Sequence, residues 1–197
     1  MGIHQSSMMT EAQMDYPWYT VVESKDKIEQ GDFIKNLPIF IANIPTSDDE
    51  HPADIFNLNV IIVSQSCDLE KRKIKNVLVC PFKLYTTFIK ENSFFGSDAG
   101  KKILDEGNAT RFHLLNKCEL DEFIYDYIIV DFANTFSVPF DFLENHAKKS
   151  GNRLRLLPPY REHLAQNFAR FFMRVGLPIT IKGFYVEKKE CATQSKS

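Results

Sequence analysis

A cysteine followed at once by an aspartate, Cys67-Asp68, closes the polar run Ser64-Gln65-Ser66 inside "NVIIVSQSCDLEKRKIKNVLVCPF", residues 59–82. A thiolate becomes a strong nucleophile when a neighbouring base or cation lowers its pKa. His113, in "RFHLL", is the imidazole available as that base, and Asp131, in "IIVDFA", is the carboxylate that would orient it. Cys67, Asp68, His113 and Asp131 are therefore the candidate catalytic groups, with Ser64, Gln65 and Ser66 as candidate binding groups beside them. The same residue types also have ordinary uses. A small thiol packs in a core, an Asp bonds its own turn, and a strand histidine finds a partner in its sheet.

A second constellation sits near the C-terminus. His163, Asn167, Arg170 and Arg174 fall at i, i+4, i+7 and i+11, with Arg161 beside them, which is one face of a helix. Arg153 and Arg155, in "NRLRLL", would extend it. Guanidinium forks match phosphate and carboxylate groups in two-point contacts. The competing use of such a face is a solvated surface with internal ion pairs. For a metal, Cys67, Cys80, His113 and Cys118 are the soft donors to weigh. Only His113 and Cys118 are near in sequence, and none of the four cysteines forms a C-x-x-C pair, so no metal or other cofactor is expected.

Composition narrows the partners. The chain of 197 residues carries 24 basic and 26 acidic side chains, so no global field draws it to nucleic acid; RNA contact would need a local patch. Seventeen Phe predict an aromatic-rich core. No apolar run reaches the ~18 residues of a membrane span, and "MGIHQSSMMTEAQMDYP" lacks the apolar centre of a secretory leader. A cytoplasmic protein with reduced thiols is the expectation.

The elements that must position these groups follow from patterning. Two apolar runs flank Asn36-Leu37-Pro38 after the Gly31-Asp32 turn signal. Val60–Val63 and Val77–Cys80 read as strands whose 13-residue linker is long for a tight hairpin. Residues 83–108 read as partly helical, "ATRFHLLNK" as a strand, and "EFIYDYIIVDFANTFSVPF" as one long or two consecutive strands. Pro158-Pro159 opens a final helix that Gly176 and Pro178 close. Leu164, Phe168, Phe171, Phe172 and Val175 form its apolar stripe. The predicted class is α+β, with a small barrel and a C-terminal amphipathic helix. Residues 1–16 read as a flexible N-terminus and 17–188 as one barrel domain with helices inserted at about 83–108. Residues 189–197 read as a flexible tail.

Three segments in this order carry a resemblance to the MazF/PemK family of bacterial toxins. "QGDFIKNLPIF" resembles the family's opening Gly-Asp-Ile strand. "VIIVSQSCDLEKRKIKNVLVCPF" is similar to its strand ending in Ser, followed by a loop and a strand closing on a Val-x-x-Pro-like run. "YIIVDFANTFSVPFDFL" looks like its later strand pair. The resemblance implies an SH3-like barrel, pairing with a protein partner or a second copy, and a toxin–antitoxin or phage-defence setting. The family cleaves RNA with an Arg placed before the strand that ends in Ser. Here that place reads "FNLNV", residues 56–60, without a cation, and Thr86 or Thr87 matches the family's hydroxyl residue only loosely. The expected function is therefore a binding or regulatory module. The alternative is an endoribonuclease acting on single-stranded RNA, in which Arg170 or Arg174 replaces the missing strand Arg and Asp68, His113 or Asp131 transfers the proton.

Overall fold

The computed structural model describes residues 16–42 and 53–173. The chain is α+β, with a mostly antiparallel sheet. β1 (Tyr19–Val22) leads into the ribbon of β2 (Phe33–Ala42) and β3 (Ala53–Ile62), followed by α1 (Ser66–Glu70) and β4 (Asn76–Leu84). α2 (Tyr85–Glu91), a 3-10 turn at Ser93–Gly96 and α3 (Asp98–Asp105) fill the next stretch. β5 (Phe112–Leu115), β6 (Cys118–Leu120), β7 (Phe123–Tyr125), β8 (Ile128–Asp131) and β9 (Phe136–Pro139) come before α4 (Phe140–Lys149). β10 (Arg153–Leu156) and α5 (Tyr160–Phe172) complete the order.

The main sheet runs β2-β3-β4-β8-β5, and β9 pairs with residues 76–79 of β4 while β8 pairs with residues 82–84. β1 pairs with β10, and β6 with β7, as separate two-stranded units. Among the described residues the strands do not close into a barrel by pairing. The region expected to hold one or two strands holds three short ones, β7, β8 and β9, because Asp126-Tyr127 and Ala133-Asn134 interrupt it.

Side-chain alternation gives the sheet two buried faces. Ile61, Cys80, Phe82, Ile128 and Val130 join Phe33, Leu154, Leu156 and Leu164 in one core, on the face covered by β1, β10 and α5. Val60, Ile62, Val77 and Val79 point the other way, against Phe140, Leu143 and Ala147 of α4. Ile129 meets Phe88 and Leu104 of α2 and α3 on that same opposite side. In β2 the parity changes midway. Phe33 faces the first core and Ile34 the second, yet Leu37 and Ile39 also face the second. A bulge between Ile34 and Leu37 causes the change. Asn36 adopts φ 49° there, and its N–H donates to Asn59 Oδ1 at 3.0 Å.

Two glycines are fixed by close approach. At Gly100 an added Cβ would lie 2.3 Å from the Phe94 carbonyl, so α3 can dock on the preceding turn only with glycine there. Gly31 sits at φ 85°, a conformation that L side chains rarely adopt. Its N–H donates to the Ile62 carbonyl at 2.9 Å and its carbonyl accepts from Leu156 N–H at 3.0 Å. That turn presents Asp32, which is fully buried, to β10.

β10 reads Arg-Leu-Arg-Leu, and the alternation is real. Leu154 and Leu156 enter the core, while both arginines turn the other way, onto Asp32. Arg153 Nε donates to Asp32 Oδ2 at 2.6 Å, and Arg155 reaches both carboxylate oxygens. The rest of the Arg153 fork is spent on the carbonyls of Glu23, Asp26 and Lys27. Arg153 and Arg155 therefore do not extend a surface basic patch. They are internal crosslinks whose donors are used up inside the protein.

Removing one partner of a buried ion pair strands the remaining charges. Asp32→Ala should lower unfolding free energy by about 3–5 kcal/mol in urea titration at neutral pH. Arg72→Ala removes exposed bonds to Asp141 and Glu144 of α4 and should have a far smaller effect in the same measurement.

Candidate functional site

A cleft of about 620 Å³ opens between α5 on one side and β5 with the C-terminal end of α3 on the other. Its volume lies within the range of small-molecule sites. Helical spacing puts His163, Asn167 and Arg170 on the cleft side of α5. Leu164, Phe168 and Phe171 pack against the core instead, while Phe172 is 62% exposed. Val175, Gly176 and Pro178, which complete the predicted stripe and stop, lie outside the described residues, as does Arg174. α5 itself begins at Tyr160, directly after the Pro158-Pro159 pair.

His113 arrives from β5, the end strand of the sheet. Phe112 and Leu114 pack towards α2 and α3 while Leu115 enters the α5-side core. Alternation therefore turns His113 towards α5. Its ring stacks on Phe132 at 5.9 Å between centroids and 19° between planes, and Phe132 in turn meets Phe168 edge-on at 5.5 Å. His113 makes no hydrogen bond to a described residue, and its ring nitrogens are not sealed from the cleft. Burial, with a smaller contribution from His163, pushes its pKa down to about 4. At neutral pH it is an uncharged imidazole offering one donor and one acceptor.

The walls are aromatic. Trp18 and Tyr160 lie face to face, 3.5 Å between centroids and 9° between planes. Leu157 N–H holds the Trp18 carbonyl at 2.8 Å, and Tyr160 Oη donates to the Tyr16 carbonyl at 3.1 Å. Tyr127 lines the same cleft and is 43% exposed. Asp105 and Glu106, from the end of α3, supply carboxylates. Glu106 accepts from Asn108 and lies 3.7 Å from Lys102, whereas Asp105 and Arg170 form no ion pair with a described residue.

The thiol–carboxylate corner lies elsewhere. Ser64 Oγ accepts from Leu78 N–H at 2.8 Å, and Ser66 Oγ accepts from Gln30 N–H at 3.2 Å. The Gln65 carbonyl takes the Asp68 and Leu69 amides as α1 begins. These bonds splice the end of β3 to β4 and to the turn before β2. Ser64, Gln65 and Asp68 border a separate cleft of about 340 Å³ beside Ala165, Phe168 and Ala169 of α5. Cys67 is an exposed free thiol. It lines neither cleft and makes no hydrogen bond to a described residue. The structure thus does not bring Cys67 and His113 together.

Asp131 is committed to its own neighbourhood. Arg111 grips it with two bonds of 2.9 and 2.8 Å, and Ala133 N–H and Asn134 donate to it. It borders a third cleft with Lys83, Glu91 and Asn92. Arg161 is paired with Glu162 at 3.0 Å and Glu29 at 3.6 Å. Of the sequence candidates, His113, His163 and Arg170 meet in one place, with Asn167 between them. Trp18, Tyr160 and Asp105 are additions that sequence reasoning missed. The lone Trp18 was the available signal, but its stack on Tyr160 spans more than 140 residues of chain.

Burial raises the Cys80 thiol to about 12 despite its contact with Thr135, and Cys118 is likewise raised. Both behave as core residues. No group of three or more His, Cys, Asp or Glu among the described residues is arranged to hold a metal ion. No helix among them is long and apolar enough to cross a membrane. No family model matches the chain, and no curated protein matches it at a significant level.

The depressed pKa of His113 makes a stability prediction. Above the unfolded value of 6.5, neither state binds the proton; as pH falls towards 4, the unfolded chain takes up a proton that the folded site refuses. Folding stability contributed through this site should fall across that window, by on the order of 3 kcal/mol at its lower end. Urea titrations at about pH 7 and about pH 4.5 should show a smaller acid loss in His113→Asn than in the wild type.

Proposed function

We propose that the protein is a binding or regulatory module of MazF/PemK-like kind, acting in a toxin–antitoxin or phage-defence setting, with its ligand in the cleft between α5 and β5. The setting and the kinship rest on the three resembling segments. An SH3-like barrel is the finer architecture we propose for the sheet and the strands packed on it. In support, β1, β2, β3, β4, β5, β8 and β10 all contribute to one shared core. Single-stranded RNA is the ligand the resemblance suggests, and a protein partner or a second copy is the proposed regulator. A cytoplasmic location goes with this setting.

One observation carries the preference for binding over catalysis. His113, the imidazole that would exchange protons, is held neutral and faces His163 rather than Cys67. A neutral imidazole with so low a pKa is a feeble base near pH 7 and has no proton to give as an acid. Cys67 makes no hydrogen bond to a described residue, and the Asp131 carboxylate is engaged by Arg111. Arg170, however, is a cation of the kind phosphate-ester cleavage needs, and it keeps the endoribonuclease as the second reading.

Incubation of the protein with single-stranded RNA, with and without EDTA, separates the two. The expected outcome is retention without cleavage, with affinity reduced about tenfold or more by Arg170→Ala and unchanged by Cys67→Ala. Cleavage that disappears in His113→Ala or Arg170→Ala would establish the nuclease instead.

A further inference from the structure

α5 carries more apolar surface than the fold around it covers. Of its thirteen residues, Leu164 alone is buried. Phe168 and Phe171 pack against the core but are half-buried. Phe172, the last helical residue, and Met173 after it are 62% and 74% exposed. Phe168 meets Phe172 edge-on at 5.1 Å, so these groups form one strip towards the end of the helix. On the flank away from His163, Asn167 and Arg170, the strip runs into the cleft of about 340 Å³. There Ala165, Phe168 and Ala169 share the lining with Ile74 and with Leu78 of β4, which is 38% exposed. Polar groups on the border are already committed. Ser64 Oγ accepts from Leu78 N–H at 2.8 Å, and Gln30 Nε2 donates to the Val63 carbonyl at 3.0 Å. The surface therefore suits an apolar occupant, and contiguous apolar surface of this kind marks a contact site.

The chain itself supplies one. After Met173 the sequence reads "RVGLPITIKGFYV", and Lys182 is the one charged residue between Val175 and Val186. That composition belongs to a segment that packs rather than one that stays in water. Gly176 and Pro178 are helix-ending residues, so the sequence favours a turn away from the axis of α5. Ala169 lies about one helical turn before Met173, so no long span separates the segment from the cleft. A tethered segment also meets its site at an effective concentration on the order of millimolar, an advantage that a separate molecule lacks. We propose that residues 175–186 dock in the cleft between α5 and β4, with Ile179 and Ile181 among the side chains that cover Phe168, Ala169 and Leu78. His163, Asn167 and Arg170 stand on the other flank of α5, so this seat leaves the α5–β5 cleft open. The inference stands apart from the binding reading given above.

Cys67 provides the probe. It is an exposed free thiol between Gln65 and Asp68, both of which border the cleft, whereas Cys80 and Cys118 are buried. A nitroxide is attached to Cys67 in the whole chain carrying Cys191→Ser, with the isoleucine methyl groups isotopically labelled. Ile179→Val and Ile181→Val assign the two methyl signals of interest. Both signals should lose most of their intensity beside the nitroxide and regain it when the nitroxide is reduced. Ala169→Glu places a charge in the seat and should restore most of the lost intensity. Ala169 is exposed, so this variant should keep the circular dichroism of the wild type. A mixture of nitroxide-bearing chains without isotope and isotope-labelled chains without nitroxide should show no loss.

Full intensity at Ile179 and Ile181 in the nitroxide-bearing chain would overturn the docking. Equal loss with and without Ala169→Glu would overturn the placement in this cleft. Loss in the mixed sample would overturn the intramolecular seat in favour of a second copy.

Discussion

A carboxylate buried without solvent between two guanidinium groups is the constraint on which the rest of this fold depends. Asp32 cannot be ionised at that depth without cations, and Arg153 and Arg155 cannot be buried without an anion. Each makes the other tolerable, and the geometry that satisfies both fixes several chain segments together. The arginines collect the carbonyls of Glu23, Asp26 and Lys27, and so fold the loop between β1 and β2 onto β10. Arg155 also bonds Glu29, and Glu29 reaches Arg161 on α5. A continuous chain of charges thus runs from the start of β2 through β10 to the first turn of the last helix. The residue before Arg161 in that helix turn is Tyr160, which meets Trp18. The candidate cleft owes one wall to a charge network that it does not contain.

The sheet is unusual in being buried on both faces along its middle strands while remaining antiparallel. Such sheets commonly leave one face wet. Here α4 covers one half of the second face and the α2–α3 pair the other, so β3, β4 and β8 read as apolar runs rather than as clean alternations. That pattern explains why strands were easy to find in the sequence and their faces were not. The aromatic-rich core expected from the Phe count is visible in the chain of edge-on contacts through Tyr19, Phe33, Phe82 and Tyr125.

What the sequence revealed was local in origin. β3 and β4, the helical stretch after β4 and the amphipathic last helix each follow from runs, breaks and spacing within a few turns of chain. The His163–Asn167–Arg170 line is legible for the same reason. What escaped depends on partners distant in sequence. Arg153 and Arg155 look like a surface patch until Asp32, more than a hundred residues earlier, is placed against them. α4 was hidden because Val138-Pro139-Phe140 reads as the end of a strand, yet Pro139 sits just outside the helix and Phe140, Leu143 and Ala147 form its buried stripe. The Ser64–Asp68 cluster invited a chemical reading because polar groups were dense there. In the fold the two serines serve the splice between β3, β4 and the turn before β2, and the serine oxygens are occupied by amides from outside the cluster.

The bulge at Lys35-Asn36 has a consequence for how the ribbon tolerates change. Upstream of it even-numbered Ile34 faces α4, and downstream odd-numbered Leu37 and Ile39 do, leaving Phe40 63% exposed. The surplus residue is absorbed at the kink, which is how an even position and an odd one come to share a face. Take out either Lys35 or Asn36, and plain alternation returns with Ile34 still opposite Val60 and Leu37 still opposite Leu58. Take out both, and every side chain beyond would trade inside for outside, sending Pro38 and Phe40 under α4 and Leu37 and Ile39 into water. The outer ribbon thus has one link to spare at this point and jams on the loss of a second.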